Sequence, residues 1–229
     1  MRLAIFNGSP RGDKSNTTIL LSHFLTGFEQ TAGHTHEIHY LRRVKHQDEF
    51  VKAFAANDCV LIAYPLYADS MPGQVKLFIE SLQPLCGREG NPALAFMVQS
   101  GFPEAIHSRY VEKYHEKLAR RLGARYLGTI IKGGVEGISV QPPFMTNKLF
   151  NSFYQIGQVF GKTGQLEKSL LNKLAGPDRM SAFKLFVYRA MMFPLARLTF
   201  WDKMLKENGA YDKRFAQPFS DHRPKLIKE

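Results

Sequence analysis

The chain has 229 residues, 44% of them hydrophobic and 22% charged, with a formal net charge of +11. That length and balance support a folded domain with a full core and an appendage, and they exclude a disordered tail, a repeat array and a small stapled domain. Only two cysteines occur, Cys59 in an apolar run and Cys86 in a turn-rich segment, which excludes a disulfide framework and a cysteine cluster for metal or iron–sulfur.

In chain order, five apolar runs read as strands: "RLAIFN" (2–7), "THEIHYL" (35–41), "CVLIAYPL" (59–66), "ALAFMVQS" (93–100) and "RYLGTIIKG" (125–133). The first, third and fourth are nearly continuous in apolar residues, as expected of strands covered by helices on both faces. Helical patterns fall between them at roughly 16–31, 47–56, 73–83 and 105–122. Strands alternating with helices imply right-handed crossovers and a parallel α/β sheet. The opening "MRLAIFNGS" enters a strand with no basic n-region, apolar h-region or cleavage site, so no signal peptide and a cytoplasmic location are expected.

After about residue 138 the alternation stops, and "VQPPF" precedes helical stretches near 146–175 and 181–206. The expected division is a sheet domain over 1–138 and an all-helical extension over 139–229 packed on it. Gly176, Pro177 and Asp178 separate the two stretches, with Pro177 and Asp178 able to start the second. In that second stretch Phe183, Val187, Met191, Leu195, Leu198, Trp201 and Leu205 form one apolar stripe, with Lys184, Arg189, Arg197 and Lys203 off it. Pro194 is expected to kink or divide the helix, and the charges exclude a transmembrane segment. Burial of the stripe as a cap beside a ligand pocket and in a subunit contact is the favoured expectation, ahead of peripheral contact with an anionic membrane.

The positive charge gathers at Arg42, Arg43 and Lys45, and at Lys113, Lys117, Arg120 and Arg121. Nucleic acid, anionic lipid or anionic metabolites could answer such a surface. The second cluster is interleaved with Glu112 and Glu116 at helical spacing, which reads as a solvated helix face. No interleaved aromatic and basic motif accompanies it, so no nucleic-acid partner is expected.

The loop after the first run, "NGSPRGDKSNT", carries the clearest chemistry. In an open parallel sheet, ligands sit at the carboxyl ends of strands, where this loop meets the first helix N-terminus with its unpaired N–H groups. Ser9, Ser15, Asn16 and Thr17 can add hydroxyl and amide groups, and Arg11 or Lys14 a charge-assisted bond, so the loop reads as a phosphate cradle. The spacing fits neither a nucleoside-triphosphate loop nor the dinucleotide fingerprint G-x-G-x-x-G.

"GSPRGDKSNT" resembles the phosphate loop of the flavodoxin-like NAD(P)H-dependent FMN reductases and quinone reductases. After the third strand "YPLYADSMPGQVKLFIE" is similar to that family's P-L-Y-x-x-x-x-P-x-x-x-K-x-F-x-E pattern, and after the fourth "VQSGFPEA" is similar to its third flavin loop. The ending "FWDKMLKENGAYDKRF" more loosely resembles a bacterial branch of these oxidoreductases. The resemblance implies a doubly wound, five-stranded parallel sheet of order 2-1-3-4-5. It implies that Ser9, Arg11, Ser15, Asn16 and Thr17 hold the phosphate of FMN. Pro65, Leu66 and Tyr67 would then lie along the isoalloxazine, with Ser100, Gly101 and Phe102 closing its other edge. It further implies NAD(P)H as co-substrate, a small-molecule electron acceptor and a homodimer.

The expected function is an FMN-dependent oxidoreductase passing hydride from NAD(P)H to a quinone, a flavin or another small acceptor. The alternative is a non-enzymatic FMN-binding redox sensor or electron-transfer protein. Flavin chemistry resides in the cofactor, so no catalytic side chain is singled out. His34, His36 and His39 surround a strand start, and His107 and His115 sit on a helix; none has metal-site spacing, no metal is expected, and most read as solvated.

Overall fold

All five apolar runs form strands in the computed structural model, which describes residues 1–187, 190, 194, 197 and 201–217. They are β1 (Arg2–Asn7), β2 (Thr35–Tyr40), β3 (Cys59–Pro65), β4 (Ala93–Gln99) and β5 (Tyr126–Lys132). All pair in parallel in the order β2-β1-β3-β4-β5, the flavodoxin-like arrangement. The helices between them are α1 (Asn16–Phe28), α2 (Gln47–Ala56), α3 (Gly73–Ser81) and α4 (Ile106–Leu122). After β5 come α5 (Pro143–Thr163) and α6 (Lys168–Ala175).

Side chains alternate across a strand, so each central strand feeds two cores. Leu3, Ile5, Leu61 and Met97 face one way and pack with Phe24 and Phe28 of α1 and Phe153 and Phe160 of α5. Ala4, Phe6, Ile62 and Phe96 face the other way, against Phe50 and Phe54 of α2, Phe78 of α3 and Val111 and Leu118 of α4. Helices on both faces explain why β3 is buried along its whole length.

The helix α5 lies backbone to backbone on α1. A Cβ added at Gly157 would sit 1.9 Å from the carbonyl oxygen of Phe24, and one at Gly27 would sit 2.0 Å from that of Tyr154. Only hydrogen fits at either place, and the close approach lets Phe24, Phe28 and Phe160 share one cluster.

Residues Met1–Arg179 form one compact unit and Met180–Glu229 a second. The first unit therefore runs past the boundary expected at residue 138, because α5 covers a sheet face and α6 packs along β5. Pro177 and Asp178 do not start a helix. Their carbonyls accept from the N–H groups of Ala105 and Ile106, satisfying the beginning of α4, while Asp178 accepts from Arg109 at 2.8 Å.

In the second unit, α7 spans Ala182–Val187, α8 spans Asp202–Glu207, and a short 3-10 turn covers Tyr211–Lys213. The Arg214 guanidinium lies 3.9 Å from the centre of the Tyr211 ring and 4.8 Å from that of Phe215. Of the expected apolar stripe, Phe183 and Trp201 are exposed, whereas Met191, Leu195 and Leu198 lie outside the described residues, as does Arg189. Among the described residues no helix is long and apolar enough to cross a membrane, and no group of His, Cys, Asp and Glu could hold a metal ion.

Candidate functional site

The carboxyl ends of β1, β3, β4 and β5 bring four loops to one edge of the sheet, where they line an open cleft. Ser9, Arg11, Ser15 and Asn16 form its wall from the first loop; Pro65, Leu66 and Tyr67 come from the second. Gln99, Ser100 and Gly101 come from the third, and Glu136 from the fourth. Of the residues expected from sequence, Thr17 and Phe102 do not line the cleft. Thr17 is fully buried and its hydroxyl oxygen accepts from Gln99 Nε2 at 3.3 Å, whereas the Phe102 ring stands outside at 61% exposure.

The first loop is braced from within. Ser15 Oγ donates to the Gly12 carbonyl at 2.7 Å and accepts from the Thr18 N–H at 3.1 Å, capping α1. Thr18 Oγ1 donates to the same Gly12 carbonyl at 2.8 Å, and Asn7 ties strand to helix by donating to Thr18 Oγ1 while accepting from the Ser9 N–H. Asn16 Nδ2 donates to the Val135 carbonyl at 2.9 Å, joining the first loop to the fourth.

The side chains of Ser15 and Asn16 are thus committed to protein partners. What the loop offers a ligand is different: the N–H groups of Asn16 and Thr17, which have no carbonyl within the helix to bond, the Ser9 hydroxyl proton, and Arg11. The Arg11 guanidinium is exposed and has no side-chain partner among the described residues. Such a donor set, at the positive end of α1, fits a phosphate. The second loop adds the apolar and aromatic surface of Pro65, Leu66 and Tyr67, which fits a planar ring.

Beneath the second loop lies a buried polar chain. Tyr64 Oη is hydrogen-bonded to His115 Nε2, His115 Nδ1 to Thr129 Oγ1 at 2.9 Å, and Thr129 Oγ1 to Tyr126 Oη at 2.8 Å. The Phe96 ring stacks on the imidazole at 3.8 Å. Burial lowers the pKa of His115 to about 3, so the ring is neutral, with one nitrogen donating and the other accepting. Burial also pushes the Tyr64 hydroxyl up, keeping it protonated, and pushes the Cys59 thiol to about 12. His115 is fully buried, contrary to the expectation of a solvated histidine, because it belongs to the inward stripe of α4.

Residues 1–110 match the family model described as NADPH-dependent FMN reductase. The match covers just under half of the 229 residues. The FMN-dependent NADH-azoreductase from Bacillus anthracis str. Ames Ancestor, solved in complex with FMN, superposes with a TM-score of 0.53 at 13% identity, over 70% of this chain and 100% of that one. An NAD(P)H:quinone oxidoreductase from Methanothermobacter marburgensis gives 0.54 at 16%, over 72% and 99%. An NADH:FMN oxidoreductase in its apo form gives 0.53 at 16%, over 80% and 98%. At such identities these likenesses show a common fold. Among curated proteins no match is found.

Two cleft residues escaped sequence reasoning. Gln99 is the last residue of β4, a polar amide ending an apolar run at a strand's carboxyl end. Glu136 sits in the glycine-rich "GGVEG" loop after β5, which reaches the same sheet edge as the three recognised loops. Both positions could have been found by asking which residues follow each strand.

Proposed function

We propose that the protein is an oxidoreductase that holds FMN in this cleft and passes hydride from NAD(P)H to a quinone, a free flavin or another small acceptor. The observation that carries this reading is the make-up of the cleft wall, with cation, hydroxyl and helix N–H donors from the first loop and Pro65, Leu66 and Tyr67 from the second. The flavin, when bound, supplies the two-electron chemistry that no side chain here provides.

The chain's own residues bind and orient. Arg11, the Ser9 hydroxyl and the N–H groups of Asn16 and Thr17 hold the phosphate. Thr17 contributes through its backbone, since its hydroxyl is buried against Gln99. Ser100 shapes the third loop, its Oγ donating to the Phe102 carbonyl at 3.0 Å and its N–H to the Lys132 carbonyl at 3.0 Å. Gly101 lines the cleft beside it, where its backbone would meet an edge of the ring.

Titration of the flavin-free protein with FMN and riboflavin tests the site, and anaerobic addition of NAD(P)H followed by a quinone tests the reaction. Preference for FMN and steady NAD(P)H consumption are expected. Equal affinity for riboflavin would show that the first loop holds something else, and flavin binding without turnover would make the protein a redox sensor. A homodimer is part of the same reading, and light scattering that returns a monomer removes it.

A further inference from the structure

The turn Tyr67–Ser70 brings Tyr67 to the cleft and is itself exposed, between Leu66, whose N–H donates to the Gln99 carbonyl at 2.8 Å, and Met71, which packs on the core. All four residues are exposed, and the chain folds back in a two-residue hairpin with the Tyr67 N–H donating to the Ser70 carbonyl at 2.9 Å and the reverse bond at 3.0 Å. The two central residues, Ala68 and Asp69, have φ of 48° and 56°. Such hairpins favour Asn-Gly, and an alanine there sits in a conformation that its Cβ disfavours. On its far side, Asp69 and Ser70 border a second groove with Met71, Tyr110 and Tyr114, so the turn is a partition between two open spaces.

One contact ties the partition down. His107 Nδ1, on the first turn of α4, lies 3.1 Å from Asp69 Oδ1, and the Phe102 ring packs on the imidazole with centroids 4.7 Å apart. The loop that carries Phe102 needs no such aid. The Phe102 carbonyl accepts from Ser100 Oγ at 3.0 Å and from the Gly134 N–H at 2.9 Å, and a Cβ at Gly133 would come within 2.2 Å of that same oxygen. The Phe102 loop is fastened to the loop after β5, whereas the tip of the Tyr67–Ser70 turn is held by one side-chain pair among the described residues.

We infer that the Asp69–His107 pair is a latch that ties the Tyr67 turn to the helix start beside the Phe102 loop, and so sets where the Tyr67 ring stands in the cleft and positions the electron acceptor there. This inference rests on the oxidoreductase reading given above. Asp69 and His107 are positioning residues, acting through the placement of the Tyr67 ring.

Hydrogen exchange at the Tyr67 and Ser70 amides, read in flavin-free protein, tests the latch, and the acceptor KM tests the positioning. His107→Phe keeps a ring against Phe102 and removes the nitrogen. Asp69→Gly removes the carboxylate while easing the left-handed turn, and Asp69→Asn keeps both an acceptor oxygen and a residue tolerant of that turn. A pair this exposed shifts an equilibrium by about two- to fivefold. Exchange about that much faster and an acceptor KM raised by a similar factor at nearly constant kcat are expected for His107→Phe and Asp69→Gly, with the double variant no worse than either. Asp69→Asn is expected to retain wild-type values. Unchanged exchange in His107→Phe, or additive effects in the double variant, would overturn the latch. Faster exchange with an unchanged KM would overturn the positioning role. If the wild-type protein consumes no NAD(P)H, the oxidoreductase reading and the positioning role fail together, while exchange still decides the latch.

Discussion

Asn16 Nδ2 donates to the carbonyl of Val135 at 2.9 Å, a bond that spans 119 positions of sequence and joins the beginning of α1 to the loop after β5. Removing the amide leaves a buried carbonyl without its donor, which costs about 1 to 3 kcal/mol. Asn16→Ala is therefore expected to lower the urea midpoint and to loosen the loop that carries Glu136. Asn16→Asp should be worse, because a carboxylate would face that carbonyl. Equilibrium unfolding of the three proteins checks the ranking.

Stability should also fall with acid through His115. Its pKa is lowered from 6.5 to about 3 in the folded chain by burial, so the unfolded chain binds a proton that the folded chain refuses. The stabilisation is complete above about pH 6.5 and is lost progressively as pH falls towards about 3. Within that window this one group contributes a slope of about 1.4 kcal/mol per pH unit. His115→Phe should remove that slope while also orphaning Tyr64 and Thr129. Urea midpoints measured across the window for both proteins give the comparison.

Gly157→Ala places a methyl group 1.9 Å from a backbone oxygen, which no rotamer change can relieve. Helices α1 and α5 would have to separate, at a cost of about 3 kcal/mol and with loss of packing around Phe24 and Phe160. Alanine is otherwise the better helix former, by about 1 kcal/mol, so a stabilised variant would contradict the contact. Thermal unfolding followed by circular dichroism decides it.

Arg11 and Glu136 stand on one cleft with opposite charge, and their variants should move anion affinity in opposite directions. Arg11→Ala removes a charge-assisted bond and should weaken FMN by about 1.5 to 3 kcal/mol, with riboflavin little affected. Glu136→Gln removes a like charge and should strengthen FMN, an effect that shrinks in high salt. Calorimetry at two ionic strengths measures both.

The sheet was legible because continuous apolar runs such as "CVLIAYPL" have few other homes, and the loop chemistry was legible because polar residues at a strand end have a fixed address. Less visible was α5, whose pairing with α1 turns on Gly157 meeting a carbonyl far away in sequence. No local pattern announces such a contact. His115 is a different failure, since the signal was present. Ser108, Val111, His115, Leu118 and Leu122 recur every three or four residues and are all buried, and the spacing alone could have put the histidine inside. The pair Asp69–His107 joins the turn after β3 to the first turn of α4, and only the fold could bring them together.

The embrace of α1 by α5 also sets a timetable. A chain leaving the ribosome completes β1, its loop and α1 long before residue 157 is made, so the face of α1 that carries Phe24 and Phe28 must wait for its cover. Contacts that distant in sequence are late and slow to close. The loop expected to hold phosphate is thus translated well before the helix that covers α1, and any ligand it takes would meet a finished site only after most of the first compact unit has emerged.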